Sequence, residues 1–355
     1  MSARGSGPAG RVEGPTRRLD VPGPSRPARR SLLGPTVVAL VVAVPAAVVV
    51  FADALGVDHR TPFVQLIAFR PQIAAGLVVL SVVAGVLGRS RAVLPTAVAL
   101  GLVGALGLAA VAPRAGDAAA DTPDAPGRRT LTVLTLNTYL GRADPDAVAD
   151  VVRARRPDLV ALPEAGGDLR RRLTALLDED AGGAGYRSSI ADDAEDGSAM
   201  TVFVARGLGR PRVTVDRGGT FPAIVVDVAA SGVPGGLRFV AVHPQSPRPG
   251  DTGAWGRDVA DLARWCTDGR PTVVAGDMNA TADHREFADA TAGCTDAASS
   301  VGEGLPGTWP AGLPRLLGAQ IDHVLLAGGP RAADVAFLDV TGTDHRAVLA
   351  TVAAG

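Results

Sequence analysis

The chain has 355 residues, 47% of them hydrophobic and 20% charged, with two cysteines and a formal net charge of −1. So much apolar content with so little net charge excludes a mainly disordered chain. The same figures exclude a strongly basic nucleic-acid binder and a disulfide-dense mini-scaffold.

Residues 1–30 carry seven arginines against Glu13 and Asp20, show no hydrophobic period, and read as a disordered basic tail. Three uncharged stretches follow, 31–52, 71–88 and 92–113, of 22, 18 and 22 residues. Each meets or nears the roughly 20 residues that span a hydrocarbon core of about 30 Å, so the sequence predicts about three transmembrane helices within 31–113. The first run is longer than the apolar core of a signal peptide, and two more follow it. A further uncharged piece, 61–69, is too short to cross and reads as interfacial or re-entrant.

Arginine placement sets the expected orientation. The tail and the tight loop holding Arg89 and Arg91 fall on one side of a three-helix arrangement, which the positive-inside rule makes the cytoplasm. Arg60 and Arg70 on the other side are offset by Asp53 and Asp58, and Arg114 is followed by Asp117, Asp121 and Asp124. The expectation is a multi-pass cell-membrane protein with a cytoplasmic N-terminus and an extracytoplasmic C-terminal domain.

A Pro/Ala/Asp linker is expected over 114–129. From 130 to 355 the chain alternates strand-like and helix-like runs. Strands are predicted over 131–136, 159–162, 199–205, 223–228, 237–242, 272–275, 321–326 and 347–352. Helices are predicted over 145–156, with Asp144 as N-cap, and over 251–266 and 283–291. Many short strands with few helices suggest two packed sheets flanked by helices, rather than a doubly wound parallel sheet.

The polar residues that stand out fall at strand ends: Asn137, Glu164, His243, Asp277 with Asn279, Asp322 with His323, and Asp344 with His345. Singly, such residues are usual turn formers. Together they offer hard oxygen ligands for Mg²⁺ and imidazoles for a phosphate. Their motifs are Leu136-Asn137-Thr138, Pro163-Glu164-Ala165, Val242-His243-Pro244, Gly276-Asp277-Met278-Asn279, Ile321-Asp322-His323 and Thr343-Asp344-His345. Their order resembles the endonuclease/exonuclease/phosphatase superfamily across the whole of 130–355.

That resemblance implies a four-layer α/β/β/α sandwich of two packed mixed sheets with the site at the strand ends. It implies a metal set of Asn137, Glu164 and Asp344, with Glu164 central, and Mg²⁺ as cofactor with Mn²⁺ as an alternative. Asp277 resembles the residue that orients or deprotonates the attacking water, and Asn279 the one that holds a phosphate oxygen. His345 resembles the transition-state histidine, with Asp322 fixing its tautomer and charge, and His243 the second phosphate contact. In-line attack on a phosphoester needs that set: charge neutralisation and one positioned water. The chain departs from the family at Pro163, commonly Gln, and at 197–206, which only loosely fits a family strand and makes Arg206 a weak candidate. Strand alternation turns His323 away from the site, while His284 and Trp309 read as structural residues near its border.

Cys266 and Cys294 both fall in the domain placed outside, where pairing is permitted; two free buried thiols are the alternative. Residues 1–129 hold 14 Arg against 7 acids, and the remainder 21 Arg against 29 acids. An acidic surface suits a DNA duplex poorly, since nucleases neutralise many phosphates with basic side chains. The cluster Arg170-Arg171-Arg172 reads as a solvated helix face. The expectation is therefore a membrane-tethered phosphodiesterase or phosphomonoesterase acting on a lipid headgroup or small phosphoester, with the lipid bilayer as its other partner. A tethered extracellular nuclease and a non-catalytic membrane module of the same fold are the alternatives.

Overall fold

A computed structural model of the chain describes residues 33–88, 90, 93–116, 130–179, 185–192, 196–229 and 236–354. The expected basic tail, the loop arginines Arg89 and Arg91, and most of the expected linker lie outside the described residues. The apolar region forms α1 (Leu33–Val50), a short α2 (Phe63–Ile67), α3 (Arg70–Leu87) and α4 (Val93–Val111). On α4 the buried residues Ala97, Leu100, Gly104, Gly107 and Val111 recur at steps of three and four. Small residues on that stripe let the backbones approach closely. A Cβ at Gly104 would meet the Ala74 carbonyl at 2.6 Å, and one at Gly107 would meet the Val50 side chain at 2.7 Å. The helices Arg70–Leu87 and Val93–Ala115 are long and apolar enough to cross a membrane. Their outer faces, with Val79, Val86, Leu94 and Leu106, are exposed.

The remainder is a sandwich of two six-stranded mixed sheets. In chain order the first elements are β1 (Thr130–Thr135), α5 (Pro145–Arg155), β2 (Leu159–Pro163), α6 (Gly167–Glu179), β3 (Tyr186–Ala191) and β4 (Met200–Ala205). Then come β5 (Arg212–Asp216), β6 (Ala223–Val228), β7 (Leu237–Val242), α7 (Thr252–Ala260), α8 (Ala263–Thr267) and β8 (Thr272–Asp277). The chain closes with α9 (Arg285–Ala290), β9 (Thr295–Asp296), α10 (Ala297–Ser300), β10 (Asp322–Ala327), β11 (Arg331–Asp339) and β12 (Arg346–Ala353). One sheet has the order β11-β12-β1-β2-β4-β3 and the other β5-β6-β7-β8-β10-β9. Only β1–β2 and β7–β8 pair in parallel among the described ladders.

Two-residue alternation builds the layers. Leu131, Val133, Leu159, Ala161, Phe239, Ala241, Val273 and Ala275 meet between the sheets. Leu134, Leu136, Val160 and Leu162 face outward against Val148 and Val152 of α5 and Leu173 of α6. Val240, Val242 and Val274 face outward against Trp255, Val259 and Phe287. The four layers expected from the resemblance are thus present. Asp144 caps α5 by accepting from the Asp146 amide, with Pro145 as first residue and Arg156 closing it in the left-handed region. The run 251–266, expected as one helix, is two, α7 and α8. Cys266 and Cys294 form a disulfide.

The apolar region and the sandwich share packed contacts. The piece 61–69, expected to be interfacial or re-entrant, packs on the sandwich: Val64 is buried with Trp255, Val259 and Phe287. The reason is a polar match along its backbone. His284 accepts from the Thr281 amide through Nδ1 at 2.9 Å, so its Nε2 carries the proton and donates to the Val64 carbonyl at 2.9 Å. Gln65 donates to the Pro247 carbonyl at 2.9 Å, and the Arg285 amide donates to Asp58 at 2.7 Å. Arg70, buried at the start of α3, pairs with Asp53 and with Asp283, which also takes Arg114 at 2.8 Å.

Candidate active site

The parallel pairs β1–β2 and β7–β8 deliver the site. Asn137 follows β1, Glu164 follows β2, His243 follows β7, and Asp277 ends β8. Antiparallel partners supply the rest. Asp322 opens β10 directly opposite Asp277, while Asp344 and His345 precede β12, which pairs with β1. Asn137, Glu164, His243, Asp277, Asn279, Asp344 and His345 line one open cleft of about 510 Å³, and Asp322 stands behind His345. All eight residues to which the resemblance gives a site role therefore converge.

Local backbone aims them. Glu164 and Asn279 adopt positive φ of 60° and 48°. For non-glycine residues that conformation costs on the order of 1–3 kcal/mol and must be held by its surroundings. The Glu164 amide donates to the Ala199 carbonyl at 2.8 Å. The Asn279 amide donates to Asp277 Oδ1 at 2.9 Å, and Trp255 Nε1 donates to the Asn279 carbonyl at 2.9 Å. Before Asp277, a Cβ at Gly276 would overlap the Val242 carbonyl, so glycine lets β8 lie close to β7.

The Asn137 amide nitrogen bridges Glu164 Oε1 at 3.0 Å and Asp277 Oδ2 at 2.9 Å, and its Oδ1 accepts from the Tyr139 amide. The other Glu164 oxygen takes the Leu140 amide at 2.7 Å. His345 Nδ1 donates to Asp322 Oδ2 at 2.9 Å, leaving Nε2 facing the cleft, 3.9 Å from both Asp277 and Asp344. Burial opposes charge on His345, but the carboxylates of Asp322, Asp277 and Asp344 outweigh it and push its pKa up to about 10. The imidazolium is its form at neutral pH. His243 is the opposite case. Burial lowers its pKa, only partly offset by Asp277, so it is neutral, with Nε2 3.7 Å from Glu164 and Asp277. Burial, and then Asp322, raise Asp277 above the usual carboxylate range, against the pull of both histidines.

Donor chemistry at the cleft fits a hard divalent cation. Asp344 Oδ1 is buried without a hydrogen-bond donor, while its Oδ2 accepts from Trp309 Nε1 at 3.0 Å. A buried carboxylate oxygen left unpaired is costly unless a cation or a ligand donor meets it. Glu164, Asp344 and the Asn137 carbonyl are oxygen donors of the kind Mg²⁺ and Mn²⁺ take.

Residues outside the expected set also matter. Phe221 stacks on His243, ring centroids 5.0 Å apart, and no local sequence signal marks it because the contact is tertiary. Trp309, read as structural, touches Asp344 directly. His323 is indeed turned away: it pairs with Asp296 at 2.8 Å and donates to the Ala280 carbonyl at 3.0 Å. Arg206 is half-exposed beside Asp178, away from the cleft.

A two-sheet sandwich with carboxylates and a carboxylate-paired histidine at the strand ends defines a class of phosphoester hydrolases that use divalent metals. The chain belongs to the Endonuclease/Exonuclease/phosphatase family, whose profile matches residues 134–345, more than half its length. None of the curated proteins matches it. Among solved structures, D. rerio TDP2 humanized by 14 mutations aligns with a TM-score of 0.50 at 15% identity, over 63% of this chain and 98% of that one. An endonuclease/exonuclease/phosphatase from Beutenbergia cavernae DSM 12333 is 20% identical over 64% of this chain and 72% of that one, with a TM-score of 0.48. At these identities the likeness is one of fold.

Proposed function

We propose that the protein is a membrane-anchored, Mg²⁺-dependent phosphoesterase that acts on a lipid headgroup or another small phosphoester. The observation that carries the reading is the pairing of an unpartnered Asp344 oxygen with a charged His345 across the same cleft as Asp277. Glu164, Asp344 and Asn137 would hold the cation, which when bound neutralises phosphate charge. Mn²⁺, with the same oxygen preference, is the alternative ion. Asp277, its pKa raised by burial and its Oδ2 accepting from the Asn137 amide at 2.9 Å, orients and deprotonates the attacking water. Asn279, fixed by Pro244 at 3.0 Å, and neutral His243 position phosphate oxygens. His345 offers its Nε2 proton to the developing charge or the leaving oxygen, and Asp322 keeps that tautomer.

The membrane reading is supported by the helices themselves. Windows of Arg70–Leu87 and Val93–Ala115 are 11% and 22% buried, whereas a core helix of a water-soluble domain is mostly buried. Their exposed Val and Leu faces need a hydrocarbon solvent. By the positive-inside rule the arginine-rich tail is cytoplasmic and the sandwich is extracytoplasmic.

The test is a phosphoester panel of lipids, nucleotides and DNA on the full-length protein, with and without Mg²⁺. DNA belongs in it because a D. rerio TDP2 of the same fold holds a single strand DNA product. Mg²⁺-dependent hydrolysis lost in both Asp277→Ala and His345→Ala is expected. Wild-type levels in both variants would sink the assignment.

A further inference from the structure

The loop 311–318 joins the cleft to the membrane helices, and it is unusually apolar at its surface. Leu313, Leu316 and Leu317 are 42%, 68% and 52% exposed. Three large aliphatic side chains bared within five residues lose hydrophobic free energy in water and mark a contact surface. Backbone hydrogen bonds say what that surface meets. Gln72, the third residue of α3, donates its side-chain amide to the Leu316 carbonyl at 3.0 Å and the Gly318 carbonyl at 2.8 Å. Phe69, just before α3, packs its ring 6.5 Å from Trp309. The leucine loop is thereby fixed beside the first turn of an apolar helix, the level at which a bilayer's hydrocarbon begins.

The other end of the loop is bound to the reacting groups. The Ala311 amide donates to the Asp344 carbonyl at 2.7 Å, next to the Trp309–Asp344 bond. Arg346, one residue after His345, holds the Ala311 and Leu313 carbonyls and pairs with Asp339. Tyr139 and Leu140, also exposed, stand on the cleft rim.

We propose that Leu313, Leu316 and Leu317 form a wedge inserted into the leaflet that the end of α3 enters, holding the cleft at headgroup level so that it receives phosphoesters carried by lipids of that leaflet. This rests on the membrane-anchored phosphoesterase reading and specifies how its substrate arrives. The wedge is part of the catalytic sandwich, so the site and the bilayer keep a fixed distance.

Two measurements on the full-length protein in phosphatidylcholine/phosphatidylglycerol nanodiscs test it. The natural cysteines are disulfide-bonded, so L317C takes an NBD label selectively. The label's emission is expected to be blue-shifted and quenched by nitroxide placed near the lipid ester groups, with no quenching of label at R171C on α6. A water-like, unquenched label at 317 overturns the wedge. The second measurement compares a soluble substrate, bis(para-nitrophenyl) phosphate, with dioleoylglycerol phospho-para-nitrophenol in the disc. Leu316→Ser combined with Leu317→Ser is expected to lower hydrolysis of the lipid by about tenfold, from the lost apolar burial, and to leave the soluble substrate unchanged. Equal effects on both substrates, or on neither, overturn the delivery role. If the wild type hydrolyses neither substrate, the phosphoesterase reading falls, and the quenching at 317 still decides the wedge.

Discussion

At the scale of single residues, charge on His345 is the controlling quantity. Its pKa of about 10 comes from carboxylates overcoming burial, chiefly Asp322 at 2.9 Å. Asp322→Asn removes that support, so the alkaline limb of the pH–rate profile is expected to move to lower pH, measured as kcat/KM against pH. Unmoved, it would mean that His345 is not the group whose proton the reaction uses. Asp277→Asn keeps the size of the side chain but cannot take a proton, and its single oxygen accepts from only one of the two donors, Asn137 and the Asn279 amide, that Asp277 holds. It is expected to lower kcat by about 10²–10⁴ while KM changes little. That these two residues share a cleft was legible through the resemblance carried by Gly276-Asp277-Met278-Asn279 and Thr343-Asp344-His345, motifs that fall at strand ends. The stacking of Phe221 on His243 was not legible, since it joins residues whose meeting depends on sheet packing.

At the scale of elements, burial pattern decided what could be read. Strands β1, β2, β7, β8 and β12 alternate or run apolar, and each is recognisable in the sequence. Strand β5 is exposed along most of its length and β11 has an irregularity between Ala332 and Asp334, so neither shows a clean two-residue period. Helix α6, with three consecutive arginines on it, hides its apolar stripe Leu169, Leu173 and Leu177 among charges. One element contact has a pH signature. His323 on β10 is raised above 6.5, burial opposing and Asp296 on β9 prevailing, while Asp296 is lowered below 3.8 by the same partner. The His323 contribution is full below about pH 6.5 and is lost as pH rises through its folded value. The Asp296 contribution is full above about pH 4 and is lost as pH falls through its own lowered value. Asp296→Asn is therefore expected to lower Tm most between about pH 4 and 6.5, with the deficit shrinking toward alkaline pH in a thermal-melt series. A deficit that does not shrink as pH rises from that range toward alkaline values would contradict the ion pair.

At the scale of the molecule, the near-neutral total conceals a basic first third and an acidic remainder. The sequence separates a basic tail, an apolar helical region and a C-terminal sandwich, but nothing in it reveals that residues 51–72 are built into the sandwich. That coupling rests on backbone carbonyls, Val64 and Pro247, and on a charged cluster in which buried Arg70 and Asp283 meet half-buried Asp53 and Arg114, spanning over 200 residues of chain. Removing one partner of a buried ion pair leaves the other uncompensated and costs about 3–5 kcal/mol. Asp283→Ala is expected to lower the Tm of the full-length protein and to increase hydrogen exchange in 280–285, read by mass spectrometry. Exchange unchanged there would show that the cluster does not hold the interface. The central claim, a divalent-metal phosphoesterase built on these strand ends, is tested most directly by one measurement. Full-length protein in nanodiscs is stripped of metal, assayed on the phosphoester panel, and reloaded with Mg²⁺. Hydrolysis that returns with Mg²⁺ in the wild type, and stays absent in Asp277→Ala and His345→Ala, is the predicted result. Hydrolysis that needs no metal, or that survives both substitutions, would contradict the account.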